Sequence, residues 1–558
     1  MRSFPVLAGP RKLATFAATT ACLALGSGGT AWAQSDAVEP AAEATPATAG
    51  VEAAKADDAA ASGKGKVTFE VSLGGRVAGE RSSAFAVDAA GAKAPDAVEV
   101  GSRASLGLRL LTNDALGMLH LEARAGLELV QGVFTGRPTL AGDRRPGDIW
   151  NPAMLSEAWA GLSLGASGNE TIGLRSGLQL SHWGLGLLAN DGRNYLSGDA
   201  TSWFSLPYVG DRVLRTALWT RPWAGTNSPL RGLLLSFALD RVASDDITLP
   251  MKDPGFAAWN TDEVAWQGIF AARMFLSKTD SVGLYYVYRD QQHSDGKWLK
   301  VHSADVAIDL GLVQTDDLAL RLSGEAVGIF GQTTLGPSPD HPEHKVRQAA
   351  GVLRLDTRAG KLRALFDLGA FSGDPSADDD VVSNFKADPN FQQGILLFRR
   401  VVGWQTARMR GTASNPDVVG TPNEDLERLA SGGSVTSTIT LFPRVGARLG
   451  PAEVYGGLLL ALSPTPIADP YQTRTKGGGV ARTVYGKAVE GSLLGAELDG
   501  GVRMAFDLVG NTQLLAGVEY GVALPGGAMA GLDQNVHGGR IVLTLMGKPD
   551  AAKPDAAK

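Results

Sequence analysis

This sequence of 558 residues has little cysteine, few long apolar runs and no excess of positive charge. Its single cysteine, Cys22, lies in an N-terminal segment that we expect to be removed, which excludes disulfides and thiolate metal sites from the mature chain. No run of about 18 apolar residues follows that segment, which excludes a helical membrane protein. Acidic residues outnumber basic ones, 58 to 52, which argues against a nucleic-acid-binding protein.

The N-terminus has the pattern of an export signal. Arg2, Arg11 and Lys12 precede the apolar stretch 13–25, which is short for a membrane anchor, and Ala31-Trp32-Ala33 fits a signal-peptidase site. We therefore expect a signal peptide over 1–33. Residues 34–65 are rich in Ala, Pro and acidic residues, and together with the tail 548–558 they are expected to be disordered.

The remaining segment, 66–547, alternates between apolar and polar residues. In 116–130, for example, Leu119, Leu121 and Ala123 alternate with His120 and Glu122, as in a strand with two different faces. Similar runs, including 394–404, 486–499 and 501–509, predict roughly 18 strands, within a range of 16–20.

The lengths of these runs and of their connections favour a barrel over a soluble sandwich. Many runs reach 11 to 15 residues, longer than the ~5–6 typical of soluble sheets. Short turns such as 450–451 alternate with long polar connections such as 181–211, as in transmembrane barrels. We predict an all-β fold: a transmembrane antiparallel barrel over 66–547 with short periplasmic turns and long external loops. A soluble all-β protein is the alternative.

Glycine is abundant, with 71 residues or about 13% of the chain against a usual ~7%. We assign the excess to turns, such as Gly360, and to strand positions where a closing sheet must bend, such as Gly456-Gly457.

Two stretches resemble the alginate-export family of Gram-negative outer-membrane porins. One joins 155–162 and 172–179 to Trp183-Gly184, and the other runs through 365–385 with a Ser-Gly-Asp followed by an acidic loop and Phe385. Leu178 stands where that family usually has Arg, and the last strand lacks a terminal aromatic residue. The resemblance implies an outer-membrane channel for diffusion or export of polar or anionic solutes, with a polysaccharide as one substrate.

Ionisable residues on the polar faces of the predicted strands are candidates for a pore lining, which would select solutes by size and charge. The alternative is that they pair with one another and only fill a polar interior. The candidates are Arg103, Arg109, Glu122, Arg124, Arg175, Arg215, Asp305, Asp309, Arg321, Glu325, Arg354, Arg363, Asp367 and Glu497.

The long connection 181–211 is the candidate constriction because it combines aromatic rings with polar groups, a mixture that suits sugar contacts. An external loop that packs on itself is the alternative. Its candidate residues are Trp183, Asp191, Arg193, Tyr195 and Trp203.

Metal and enzyme signals are weak. Asp374, Asp378 and Asp380 are weak calcium candidates without the spaced EF-hand pattern, and no Gly-x-Ser-x-Gly elbow occurs. We expect no cofactor, no nucleic acid, and two partners: outer-membrane lipid and a small polar or anionic solute or a polysaccharide. A secreted enzyme acting on polysaccharide and a structural or adhesive surface barrel remain as alternatives.

Overall fold

The structure is a computed structural model of the chain. It describes residues 66–94, 96, 98–113, 118–132, 150–166, 169–196, 198–245, 247, 263–336, 341–376, 379–420, 430–476, 478–508 and 512–547. The predicted signal peptide 1–33, lead-in 34–65 and tail 548–558 lie outside these ranges.

The described residues form one sheet of 19 strands, of which 18 close a barrel. The strands are β1 Lys66–Ser82, β2 Glu99–Asn113, β3 Leu119–Gly132, β4 Trp150–Ala166, β5 Asn169–Leu180, β6 Arg212–Thr220, β7 Leu233–Ser244, β8 Glu263–Phe275, β9 Ser281–His293, β10 Trp298–Gln314, β11 Leu318–Thr333, β12 His344–Ala359, β13 Leu362–Phe371, β14 Val381–Val382, β15 Ile439–Leu449, β16 Ala452–Leu462, β17 Leu493–Asp507, β18 Thr512–Pro525 and β19 Val536–Gly547.

Each barrel strand pairs antiparallel with its neighbours, and β13 pairs directly with β15. The first and last strands close the ring, from Gly75 opposite Leu545 to Ser82 opposite Gly538. Only the two-residue β14 lies outside the ring, where it pairs parallel with β12. These pairings confirm the predicted all-β antiparallel barrel of roughly 18 strands.

Connections at the two ends of the barrel differ in length. One end, the short-link end, includes 360–361 and 450–451, whereas the other, the long-link end, includes 181–211 and 372–438. The pattern has exceptions, because the link 221–232 is longer than the rest of its end and 294–297 is short. Short and long connections nevertheless alternate along the chain as predicted.

Helices are few and short. They are α1 Gly403–Ala413, α2 Pro416–Val419 and α3 Pro470–Thr475, with a π-helix at Leu397–Val402 and single turns of 3₁₀ helix at Arg193–Leu196, Ala200–Ser202 and Gly527–Met529. None of the described helices is long and apolar enough to cross a membrane.

Two strand predictions were wrong. Residues 394–404 lie mostly in the π-helix and α1, because the apolar run from Ile395 is buried on all sides and has no two-residue alternation to hold a strand. The runs 486–499 and 501–509 are not two strands: 493–507 is the single strand β17, which continues through Gly500 and Gly501 without a turn.

The outer face of the barrel is apolar. Val518, Leu498 and Phe237 are each more than half exposed, although they belong to the middle of long paired strands. The intervening residues are polar and mostly buried on the inner face, as Glu519 and Glu497 are. An exposed apolar belt of this kind is typical of a barrel surrounded by lipid.

The inner space is occupied by two segments of chain. The first lumen segment is 181–211 within its described residues, and the second lumen segment is 387–406, the buried part of the connection 372–438. The first segment contacts β2, β4, β10, β11, β16 and β18, which lie on different sides of the ring, so it lies inside the barrel. Its apolar side chains join those of the second segment in the largest buried cluster.

Glycines on the inner wall leave room for these segments. A Cβ atom added to Gly446 would lie 2.5 Å from the ring of Trp203, and one added to Gly283 would lie 2.7 Å from the ring of Trp183. The wall therefore lacks side chains at the positions where the two tryptophan rings of the first segment pack against it. This accounts for part of the glycine excess that we had assigned to turns and bends.

We expect Val518→Arg to destabilise the barrel in lipid by about 2–4 kcal/mol, because it places a charge at mid-strand on the apolar face. Leu449→Arg, at the last residue of β15, is the control and should cost ~0–1 kcal/mol. Reversible unfolding in lipid vesicles measures both. Equal costs would contradict a membrane-spanning belt.

Candidate functional site

All fourteen predicted lining residues lie on the inner face of the wall, but they divide into two groups. Six are buried and hold other groups in place: Arg103, Arg215, Asp305, Glu325, Asp367 and Glu497. Eight keep part of their side chain exposed to solvent: Arg109, Glu122, Arg124, Arg175, Asp309, Arg321, Arg354 and Arg363.

Arg103 holds the first lumen segment at two points of its backbone. Its guanidinium donates to the backbone oxygens of Gly192, at 2.8 Å, and Tyr208, at 3.0 Å. The same group forms a two-pronged ion pair with Glu128 on β3, at 2.9 and 3.0 Å. Because both partners are almost fully buried, the pair is a rigid attachment point for the loop.

Trp183 and the residues after it attach the same segment to the opposite wall. The indole stacks on Tyr285 with ring centres 4.9 Å apart, and its Nε1 donates to Asp305 at 3.1 Å. Glu325 accepts hydrogen bonds from the backbone N–H groups of Leu185 and Leu187. Two predicted lining residues thus position the loop rather than a solute.

Trp203 is a second aromatic anchor of the first segment. It stacks on Tyr455 at 5.0 Å with the rings almost parallel, and its Nε1 donates to Glu453 at 3.3 Å. The next residue, Phe204, has a φ of 61°, and its N–H donates to Glu519 at 3.1 Å. A non-glycine residue with positive φ is strained, and here the wall contacts on both sides hold it in place.

Two more predicted loop residues form an ion-pair network with β4. Arg193 donates to Glu157 at 2.6 Å, and its own N–H donates to Asp191 at 3.0 Å. Burial opposes the charge on Arg193, but Glu157 and Asp191 outweigh it and raise the pKa of the guanidinium above its ordinary value. The backbone of Tyr195 is in a 3₁₀ turn, and its side chain lies outside the described residues.

The second lumen segment is held by Glu497, which accepts backbone N–H groups from Ile395 at 2.5 Å, Leu396 at 2.8 Å and Leu397 at 2.6 Å. Three donors on one carboxylate fix the start of the π-helix against β17. Glu497 was predicted as a lining residue, and its role as the acceptor for these three N–H groups was not predicted.

Arg399 and Arg400 attach the π-helix to the other side of the ring. Both donate to Glu80 on β1, at 2.7 and 2.8 Å, and Arg400 also pairs with Glu99 on β2 at 2.9 Å. None of these four residues was predicted for the site, and the two arginines were hidden because 394–404 was assigned to a strand. The sequence feature that could have indicated this site is the pair of adjacent arginines at the end of the apolar run from Ile395.

The two lumen segments also contact each other. The N–H of Asp388 donates to the oxygen of Leu187 at 2.9 Å, and the N–H of Tyr208 donates to the side chain of Asn390 at 2.6 Å. The guanidinium of Arg399 lies 5.1 Å from the ring centre of Tyr208. They therefore form one internal structure, attached to several sides of the barrel, that narrows the lumen.

The eight partly exposed residues cluster mainly toward the short-link end. On one wall Arg109 and Arg124 both donate to Glu122, at 2.6 and 2.9 Å, and Arg175 lies 4.0 Å from the ring centre of Trp159. On another wall, Arg321 donates to Asp309 at 2.5 Å. Six of the eight are arginines, so guanidinium groups outnumber carboxylates among them.

The calcium candidates have protein partners where they are described. Asp374 accepts backbone N–H groups of Ser376 and Ser383, and burial raises its pKa. Asp380 pairs with Lys345 at 2.7 Å, which lowers its pKa. Asp378 lies outside the described residues, and the part of the chain that is described contains no group of three or more potential metal ligands.

Comparisons with known proteins give structural neighbours only. No family model and no curated protein matches the sequence. The barrel is similar to Pseudomonas aeruginosa OccK2 (OpdF) in complex with glucuronate, at 11% identity and a TM-score of 0.44, covering 86% of this chain and 98% of that one. It is also similar to Acinetobacter baumannii OccAB1, at 10% identity and 0.44, covering 86% and 96%.

A third neighbour is Pseudomonas aeruginosa OpdK with vanillate, at 10% identity and a TM-score of 0.41, covering 85% of this chain and 97% of that one. None of the three carries the name of the alginate-export family, so that resemblance stays a prediction.

Proposed function

We propose that this chain is an outer-membrane channel for passive diffusion of small polar or anionic solutes. The fold supports it, because the closed barrel combines an apolar outer face with a charged inner face. Export through the signal peptide 1–33 and location in the outer membrane are part of this proposal.

The observation that best supports a selective channel is the narrowing of the lumen. Two segments fixed to the wall at Arg103, Glu325 and Glu497 occupy part of the lumen, which supports a constriction instead of a wide pore. A rigid constriction selects solutes by size and by the charges that line it. This favours a small solute over the polysaccharide that the alginate-export resemblance implies.

The charge of the partly exposed lining favours anions. Among the eight partly exposed candidates arginines outnumber carboxylates six to two, and two further partly exposed inner carboxylates, Glu70 and Asp356, reduce this excess without removing it, although the whole chain carries a net charge of −6. Such local clustering is what anion preference requires, since the overall charge has the opposite sign. Glucuronate, the compound in the OccK2 complex, is a suitable small anionic test solute.

A closed structural barrel is the second candidate. The apolar cluster that includes Trp203, Phe204 and Phe398 lies inside the ring and would exclude water from that part of the lumen. Nothing among the described residues favours the secreted enzyme that sequence analysis left open.

Ion selectivity tests the proposal through the arginines. We expect the double variant Arg124→Gln, Arg175→Gln to lower the anion-to-cation permeability ratio by about twofold or more, because two guanidinium groups leave the lining. Reversal potentials of single channels in a KCl gradient measure the ratio. Glu122→Gln, on the same wall, is the matched control and should shift the ratio in the opposite direction. Unchanged selectivity in all variants would refute the assigned lining.

A further inference from the structure

The apolar outer face of the barrel is interrupted by a cationic patch on β10 and β12. Lys300, Lys345 and Arg347 are exposed and face outward. They lie on the same face of their strands as the outward apolar residues Ala304 on β10 and Leu353 on β12. The patch lies near the long-link end, where β10 begins and β12 begins. A charge on a lipid-facing strand is costly unless a partner compensates it.

The register places the three cations close together. Lys300 lies opposite Gln332 of β11, and Gln332 lies opposite Lys345, so the two lysines occupy one row. Arg347 belongs to the next outward row, opposite Phe330. With strands ~4.8 Å apart, the lysine Cα atoms are roughly 10 Å apart, a span that a phosphorylated headgroup can bridge.

Aromatic side chains lie directly beside the cations. His302 stacks on Phe330 with ring centres 5.2 Å apart, and Tyr288 lies 4.9 Å from His302. The hydroxyl of Tyr286 is 2.6 Å from Nδ1 of His302. Aromatic rings collect at the level of lipid headgroups in transmembrane barrels. The patch is therefore at the depth where a headgroup meets its acyl chains.

The cations are only partly compensated by the protein. Lys345 pairs with Asp380 at 2.7 Å with both side chains about half exposed, and Lys300 lies 5.5 Å from the ring centre of Trp298, with Asp290 opposite it on β9. Arg347 has no ion pair among the described residues. The patch therefore keeps positive charge that an external anion can neutralise.

We propose that this patch binds the phosphorylated headgroup of a membrane lipid from the leaflet at the long-link end. Arg347 and Lys300 contact the phosphate, and Phe330 and Leu353 contact the acyl chains. In an outer membrane the matching lipid class is a phosphorylated glycolipid. The inference rests on the proposed membrane location and is independent of solute passage.

Native mass spectrometry of the full chain in detergent, with added diphosphoryl lipid A, tests the proposal. We expect the wild type to retain the lipid and the variant Lys300→Gln, Arg347→Gln to bind it about 25-fold more weakly, because each cation near an anionic headgroup contributes roughly fivefold. The control variant Arg358→Gln, Lys361→Gln removes two exposed cations at the opposite end and should bind as the wild type does.

Equal binding by the wild type and the patch variant would overturn the proposal, as would an equal loss in the control. Lipid A without phosphates should bind weakly to every variant, and tight binding of it would also contradict phosphate recognition. Channel conductance of the patch variant should equal that of the wild type. A protein that binds lipid A yet never conducts would overturn the channel and leave the lipid site standing.

Discussion

Gly446→Val is expected to raise single-channel conductance by at least about twofold, because it displaces an aromatic anchor of the first lumen segment. The added Cβ would lie 2.5 Å from the ring of Trp203 and 3.0 Å from Cβ of Tyr455, so the indole must leave its slot. Truncation of a buried tryptophan to alanine typically costs ~3–5 kcal/mol, and displacement of the whole indole removes the same packing. The first segment then loses its hold on β16 and the lumen widens.

Gly500→Val is the matched control for this substitution. Gly500 is an exposed residue of β17, and no atom lies within 4 Å of the position of an added Cβ. We expect wild-type conductance from it. Both variants should keep the heat-modifiable gel migration of a folded barrel. A folded Gly446→Val barrel with unchanged conductance would show that Trp203 does not position the constriction.

The second large effect is expected from Glu497→Ala. This substitution leaves the N–H groups of Ile395, Leu396 and Leu397 without their shared acceptor, and each buried unsatisfied donor costs ~1–3 kcal/mol. Amide hydrogen exchange of peptides covering 394–402 should accelerate by at least about 100-fold, because the second lumen segment opens locally.

Two controls separate this role from a general loss of charge. Glu497→Gln keeps one oxygen acceptor and should give an intermediate rate. Glu70→Ala removes a partly exposed inner carboxylate that pairs with Arg109 and should leave exchange in 394–402 unchanged. Wild-type exchange in Glu497→Ala would mean that the carboxylate does not clamp the segment.

The wall of the barrel could be predicted from sequence because its two faces meet different surroundings. Apolar and polar residues alternate, as in Leu121, Glu122 and Ala123, because one face of the strand meets lipid and the other meets the polar lumen. The same alternation placed all fourteen lining candidates on the inner face. Six of these residues are buried and eight are partly exposed because the lumen segments cover only part of the wall. Alternation in the strands does not reveal where those segments lie.

The connection 181–211 was predicted as a candidate constriction, but the second lumen segment escaped prediction because its surroundings are protein on every side. The run Ile395-Leu396-Leu397-Phe398 is buried throughout, so no periodicity marked it as helical. Its partners Glu80, Glu99 and Glu497 lie on β1, β2 and β17, and only the closed register brings them together. The wall glycines were visible in the sequence, but their matching to Trp183 and Trp203 was not.

Stepwise current through purified full-length protein in a planar lipid bilayer tests the central claim most directly. We expect discrete conductance steps with a reversal potential in a KCl gradient that indicates anion preference. A folded, heat-modifiable barrel that inserts into the bilayer and never conducts would contradict the channel and favour a closed structural barrel.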